Sequence, residues 1–200
     1  MTSVVGVIVA AGESTRMGRP KQLLPILSRP MLQWVVDAAE ASKLDRVVVV
    51  TGHASEEVRA AIRLGRAIWA HNPHPEQGTM SSLRAGVAAG GPADAVMKLV
   101  SDQPEIATSV IDRLVDAWDP SQDRASLVEY RDGDGHPLLL ATSVLAMIIG
   151  QDGDRLVWEL IEGSPEEVRR LAVDRTRPVD VNVPDDVQLV AERLGNDPPG

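Results

Sequence analysis

The sequence predicts an α/β fold with a mostly parallel sheet, helices on both faces and a small β-hairpin excursion, in one domain spanning residues 1–200. Three observations carry this expectation. Val/Ile-rich runs of strand length alternate with segments whose apolar residues recur at helical spacing, in four or more βα units. Those runs are apolar throughout rather than alternating, as in strands covered on both faces. Finally, 44% of the 200 residues are hydrophobic and 24% charged, so the chain can bury a core unaided, and zero cysteines exclude a disulfide framework.

The elements follow in order. Val4–Ala10 reads as a buried strand and opens into a polar stretch with Gly12, Arg16, Gly18, Arg19 and Lys21. Met31–Ala41 places Met31, Leu32, Val35, Val36 and Ala39 at helical spacing, and Asp45–Thr51 is a second buried strand. Ser55–Leu64 reads as a helix with Glu56 and Glu57 in its first turn, where negative charge suits the macrodipole. Ala67–Ala70 is a short strand, Ser81–Ala89 a helix, Ala95–Val100 a strand, and Thr108–Trp118 a helix with Thr108 as candidate cap. The segments ASLVEY and HPLLLA flank RDGDG and predict the hairpin. Helices are expected at Ser143–Ile149 and Arg155–Ile161, and a strand at Val168–Val173. The stretch RPVDVNVPDD then leads into a helix ending near Leu194. This is a Rossmann-like arrangement, and such sheets bind ligands beyond the carboxyl ends of their strands. Three places qualify: the Gly12 loop, Ser101–Pro104 and the region of Gly78.

Charge narrows the function. A formal net charge of −9 argues against nucleic acid and anionic membrane as partners, since both need a basic surface. No apolar stretch is long enough to span a membrane, no signal peptide is visible, and the absence of cysteine fits a reducing cytoplasm, the expected location. Against the overall charge, Arg16, Arg19 and Lys21 form a local basic cluster in a Gly-rich loop after a strand. There the backbone can approach a ligand closely while N–H groups and cations supply donors for phosphate; a merely solvated surface loop is the alternative. The loop is not a P-loop, because Gly12 and Gly18 lie six apart with Lys21 three further on, and GxGxxG is absent. Asp102, at the end of a strand in KLVSDQP, is placed to hold Mg²⁺, or else to cap the following turn. Asp180 and Asn182 alternate along an extended segment and face one side, as second metal ligands or as organisers of the helix start. The histidines lack zinc spacing, and no serine has a nucleophile-elbow context.

VAAGESTRMGRPKQLLP, NPHPEQGTMSSLRAGV, SDQP, DGHPLLL and VDVNVPDDV occur in this order along nearly the whole chain. Together they resemble the MobA-like nucleotidyltransferases, and Ala10, Ala11 and Gly12 give the AAG form of the molybdenum cofactor cytidylyltransferase branch, called MocA. The resemblance implies that the backbone of Ala10, Ala11 and Gly12 holds base and ribose, that Arg16 and Lys21 bind the triphosphate, and that Gly78 and Ser82 border the base. It also implies that Asp102 ligates Mg²⁺, with Asp180 or Asn182 as second ligand. The reaction implied is transfer of CMP from CTP to the phosphate of the molybdenum-bearing pterin, releasing pyrophosphate, with a recipient molybdoenzyme as a further partner. GTP or a different phosphorylated acceptor is the alternative, as is a non-catalytic protein that delivers the finished cofactor. Ser101 stands where the family has Gly, and Asn182 and Val183 where it has Asp and Thr. The segment around His136 is a candidate rim for the acceptor phosphate.

Overall fold

The computed structural model describes residues 2–12, 20–148, 156–163 and 165–196. Its seven-stranded sheet has the order Ile68–His71, Arg46–Thr51, Val4–Ala10, Ala95–Val100, Gly133–Ala141, Ala125–Tyr130, Val168–Ala172. The strands β1 (Val4–Ala10), β4 (Arg46–Thr51), β5 (Ile68–His71) and β6 (Ala95–Val100) run parallel to one another. The interiors of β1, β4 and β6 are mostly Val, Ile, Met and Leu with almost no exposed surface, because helices cover both faces, whereas β5 at the sheet edge is partly exposed. The chain leaves β1 toward β4 and β5, then returns to place β6 on the other side of β1. That reversal creates a crevice at the carboxyl ends of β1 and β6.

The hairpin β7 (Ala125–Tyr130) and β8 (Gly133–Ala141) does not stand apart as an excursion. It joins the sheet in plane, β8 pairing antiparallel with β6 from Ala95↔Ala141 to Lys98↔Leu138. β9 (Val168–Ala172) then adds parallel to β7. The hairpin is absorbed because both faces of β8 are apolar: Leu138, Leu139 and Leu140 are all buried, and a free hairpin would leave one face in water.

On one face lie α1 (Met31–Ala41) and α4 (Thr108–Ala117), packing Leu32, Val35, Ile111 and Leu114 against Ile8, Val49 and Met97. On the other, α3 (Thr79–Gly90) packs Met80 and Leu83 against Val5, Val7, Val48 and Val50. Gly86 and Gly90 let α3 sit close: a Cβ at Gly86 would lie 2.2 Å from Val7 Cγ1, and one at Gly90 2.7 Å from Val5 Cγ1. The same face holds Leu145 of α5 (Thr142–Ile148) and Val157 of α6 (Leu156–Gly163). The expected bounds Ile149 and Arg155 of these two helices lie outside the described residues.

A third apolar cluster is local to the functional end of the sheet. A two-stranded hairpin, β2 (Pro25–Ile26) and β3 (Arg29–Pro30), turns through Leu27 and Ser28 at φ 48° and 67°. Its Ile26 packs with Leu24, Met31 and Val181 against Val190 and Leu194 of α7 (Pro184–Asn196). This cluster docks the C-terminal segment beside the loop after β1. The helix α2 (Ser55–Ala61) stops three residues before the expected Leu64. Ile62 turns extended, and Arg63 N–H donates instead to Gln33 Oε1 at 2.8 Å. No helix among the described residues is long and apolar enough to cross a membrane.

Candidate functional site

A cleft of about 370 Å³ opens over the carboxyl ends of β1 and β6, on the α3 side of the sheet. Val9, Lys98, Val100 and His136 line it from the sheet; Ala11 and Gly12 from the loop after β1; Pro75, Gly78, Thr79 and Ser82 from the α3 entry; and Lys21, Asp102 and Asp180 from the chain segments around its mouth. The structure therefore gathers Ala11, Gly12, Lys21, Gly78, Ser82, Asp102 and Asp180 in one place from distant parts of the sequence. Ala10 lies directly before, buried at the end of β1. Arg16 lies outside the described residues.

Lys21 opens a short 3-10 turn, Lys21–Leu23. Its Nζ donates to Asp102 Oδ2 at 2.6 Å and reaches Asn182 Oδ1 at 3.5 Å, the outer limit of a useful hydrogen bond. The Lys21 and Asp102 side chains are each 21% exposed, so the pair is shielded but remains reachable by a ligand. The next residue, Gln22, is buried and faces inward. Its Nε2 donates to the carbonyls of Ala10 and Gly12, at 2.9 and 3.2 Å. One amide thus bridges two carbonyls where the chain leaves β1. Nothing in the sequence beyond its place after Lys21 signals this role for Gln22.

Asp102 is positioned by a ladder of bonds to the C-terminal segment. Val181 N–H donates to the Asp102 carbonyl at 3.0 Å, Gln103 Nε2 to Asp180 Oδ1 at 2.9 Å, and Val179 N–H to Glu105 Oε2 at 2.8 Å. Val181 is buried in the third cluster, so Asp180 and Asn182 turn outward together, as alternation along an extended segment requires. Asn182 serves the helix start as well: its N–H and that of Val183 both donate to Asp186 Oδ2, at 2.8 and 2.9 Å. The segment thus organises the helix start, the second of its two sequence readings.

On the opposite wall, Gly78 has φ 88° and ψ −177°, a conformation essentially restricted to glycine. This lets the chain swing into α3 and present Thr79 and Ser82 to the cleft. Asn72, buried after β5, donates through Nδ2 to Ser81 Oγ at 2.7 Å and Ser82 Oγ at 3.0 Å, and accepts from His74 N–H at 2.9 Å. The NPHP segment therefore braces the first turn of α3.

His136 departs from the expected acceptor rim. It faces the cleft from the sheet, but its Nε2 is closed to solvent and has no hydrogen-bond partner. Burial, with the nearby Lys98 charge, pushes its pKa down to about 3, so it stays neutral near pH 7 and cannot grip phosphate as a cation. Lys98, also in the cleft, is only 7% exposed. A lone lysine inside the apolar run AVMKLV is the sequence signal that could have found it.

The oxygen donors Asp102, Asp180 and Asn182 suit a hard divalent cation. Among the described residues no three His, Asp or Glu side chains form a complete metal cage. That donor set fits an ion held by one or two carboxylates, with substrate phosphates completing the shell. A second cavity, of about 540 Å³, lies between α4, α7 and the 174–178 segment. Its Arg131 and Arg193 are paired with Asp174 and Glu105, at 2.5 and 3.5 Å, and it does not include the strand ends where the candidate residues converge.

A family model described as MobA-like NTP transferase domain matches residues 6–170. The chain is 32% identical over 199 residues to the bifunctional protein GlmU of Aromatoleum aromaticum, covering 96% of this chain and 40% of that protein. It spans roughly a third of the length of the first Burkholderia GlmU relatives, 35% in that of Burkholderia orbicola, which is 31% identical over 82% of this chain. The crystal structure of Rv0371c from Mycobacterium tuberculosis H37Rv superposes with a TM-score of 0.84 at 31% identity, covering 96% of this chain and 98% of that one. The same mycobacterial protein has also been crystallised in complex with manganese.

Proposed function

The chain belongs to the MobA-like NTP transferase family, and from that premise we propose that it is a nucleotidyltransferase moving CMP from CTP to the phosphate of a molybdenum-pterin acceptor. The observation that carries the nucleotidyl-transfer reading is the Lys21–Asp102 pair at 2.6 Å, set in a cleft between a glycine turn and a helix entry. The choice of cytidine rests on the residues Ala10, Ala11 and Gly12, and that of the acceptor on the order of motifs along the chain.

In this reading an oxygen of the acceptor phosphate attacks the α-phosphorus of CTP. The bond from that phosphorus to the bridging oxygen breaks, and pyrophosphate leaves. The attacking oxygen is already anionic at neutral pH, so the reaction needs no covalent enzyme intermediate and no general base. The work of the chain is alignment and neutralisation of charge. Gln22 holds the turn against which the nucleotide lies, and Gly78, Thr79 and Ser82 border the base. Lys21 exchanges its contact with Asp102 for the phosphates. Asp102, with Asp180 or Asn182, would hold Mg²⁺, which when bound neutralises the phosphate oxygens. The manganese complex of Rv0371c supports a divalent ion for this fold.

A second reading keeps the chemistry and changes the acceptor. Incubation of the protein with Mg²⁺, CTP and purified molybdenum-pterin tests the proposal. Pyrophosphate should be released in step with a dinucleotide product. Release with a different phosphorylated acceptor but not with the pterin would replace the first reading by the second. Binding without turnover of any nucleotide would point to a cofactor carrier.

A further inference from the structure

Hydrogen-bond polarity at the entry to α3 can be followed from one fixed donor to the cleft. The His74 backbone N–H can only donate, and it donates to Asn72 Oδ1 at 2.9 Å. That fixes the amide, so its two Nδ2 hydrogens face the serines, one toward Ser81 Oγ at 2.7 Å and one toward Ser82 Oγ at 3.0 Å. Ser81 has a place for its own hydrogen, since the carbonyls of Gly78 and His74 lie 2.7 and 2.9 Å from its Oγ. Ser82 has none. Its Oγ accepts from Asn72, and among the described residues no group accepts the hydroxyl hydrogen. The residue is only 4% exposed, and the open space beside it is the cleft that it lines. A buried hydroxyl whose oxygen is engaged and whose hydrogen is not is set as a donor toward what enters that space.

We infer that Ser82 determines base specificity as a hydrogen-bond donor to an acceptor atom of a pyrimidine ring, a carbonyl oxygen or an unprotonated ring nitrogen. The inference rests on the proposed function, with the nucleotide in this cleft and its base against Gly78, Thr79 and Ser82. Cytosine presents such acceptors side by side, at O2 and N3. A donor set against N3 separates cytosine from uracil, whose N3 carries a hydrogen; a donor set against O2 binds both. Asn72 acts only through Ser82 and is a positioning residue: by donating to Oγ, it keeps the hydroxyl hydrogen for the ligand. The recognition is by polarity and needs no charged side chain.

Calorimetry on the whole protein with Mg²⁺ tests this with three ligands: CTP, 3-deaza-CTP, which lacks the N3 acceptor, and 2-thio-CTP, whose sulfur is a poor acceptor in place of O2. Wild type is compared with Ser82→Ala and with Ser82→Cys, nearly the same shape and a weak donor, in case alanine disturbs the Asn72 brace. Both variants should bind CTP about three- to tenfold more weakly, the scale of one hydrogen bond between neutral groups. Wild type should disfavour one of the two analogues by a similar factor, and the variants should bind that analogue about as well as wild type does. Loss with 3-deaza-CTP places the hydroxyl at N3 and predicts weak binding of UTP; loss with 2-thio-CTP places it at O2. Equal CTP binding by wild type and variants overturns the inference. So does a loss that is the same for CTP and both analogues, which would give Ser82 to the ribose, the phosphates or the helix itself. In either case wild-type CTP binding leaves the nucleotidyltransferase reading standing. A wild type that binds no CTP overturns that reading, and the inference with it.

Discussion

Lys21 and His136 show how differently a charged and a neutral side chain contribute to one cleft. Lys21 sits on a short turn outside the sheet and leaves no core cavity when truncated, so Lys21→Ala should fold normally. It should nevertheless slow nucleotidyl transfer by roughly a hundredfold or more at saturating CTP, the scale of losing one preorganised stabiliser of developing charge. Turnover within a few-fold of wild type would remove Lys21 from the mechanism. His136 acts on stability through pH. Its folded pKa of about 3 lies below the unfolded value of 6.5, so the unfolded chain takes up the proton first. The folded state has its full advantage above pH 6.5 and loses it progressively as pH falls toward 3. At pH 5 the loss is about 2 kcal/mol. His136→Gln should remove this component, so urea unfolding at pH 7 and pH 5 should differ by that much less than in wild type. An identical pH dependence in the two proteins would show that the imidazole titrates freely. At this scale the sequence was partly legible. Lys21, Asp102 and Gly78 stood out because glycine, charge and strand ends mark themselves. Gln22 did not, because a buried amide that clamps two carbonyls leaves no periodic trace.

Among the elements, several that bury an apolar stripe or run were readable to the residue, and others to within one or two residues at an end. The bounds expected for β1, β6, β7 and α1 match the structure, since hydrophobic period fixes which residues can face the core. Elements fixed by hydrogen bonds or turns were not. The β2–β3 hairpin turns on Leu27 and Ser28, in place of the Asn-Gly that usually announces two residues at positive φ. The early end of α2 depends on Gln33, remote in sequence. The in-plane position of the β7–β8 hairpin depends on which strand edge was open to receive it. The packing of α3 yields a test. Its glycines at 86 and 90 bring the helix onto β1 and β4, and the entry through Gly78 sets the wall of the cleft. A methyl group at Gly86 would meet Val7 Cγ1 at 2.2 Å and Val50 Cγ2 at 3.0 Å, neither at the end of a long flexible side chain. Gly86→Ala should therefore push α3 outward and cost about 1–3 kcal/mol, the usual range for overpacking a core. Because Thr79 and Ser82 move with the helix, nucleotide affinity should fall together with the denaturation midpoint. A variant as stable as wild type would mean that β1 and α3 accommodate the methyl group by repacking.

Across the whole molecule, the two parts of the sheet divide the labour. The parallel strands β1, β4 and β5 with α3 carry the glycine turn and helix entry, while β8 lies beside β6 on the opposite side of the cleft. Asp102 stands near the boundary, tied to the C-terminal segment through Val181 and Gln103. Nucleotide binding should therefore stabilise the fold as a unit rather than one loop. A ligand at about a hundred times its dissociation constant adds about 2.7 kcal/mol. For a chain of this size that is a rise in melting temperature of roughly 5–11 °C. With Mg²⁺ present, CTP should give the larger shift and GTP the smaller at equal concentration, if Ala10, Ala11 and Gly12 select cytidine. An equal or reversed ranking would discard the cytidine assignment while leaving the nucleotidyltransferase reading in place. Asp102→Asn separates the metal from the base. Replacing a carboxylate oxygen by an amide weakens the hold on a hard cation that has only one or two such ligands. The variant also loses the ion pair with Lys21, so Lys21 is no longer neutralised when the nucleotide arrives. CTP alone should then stabilise Asp102→Asn at least as well as wild type, whereas the extra stabilisation from added Mg²⁺ should shrink or vanish. If Mg²⁺ adds the same increment to both proteins, the ion is held by the nucleotide without Asp102. The role of Asp102 would then reduce to keeping Lys21 in place.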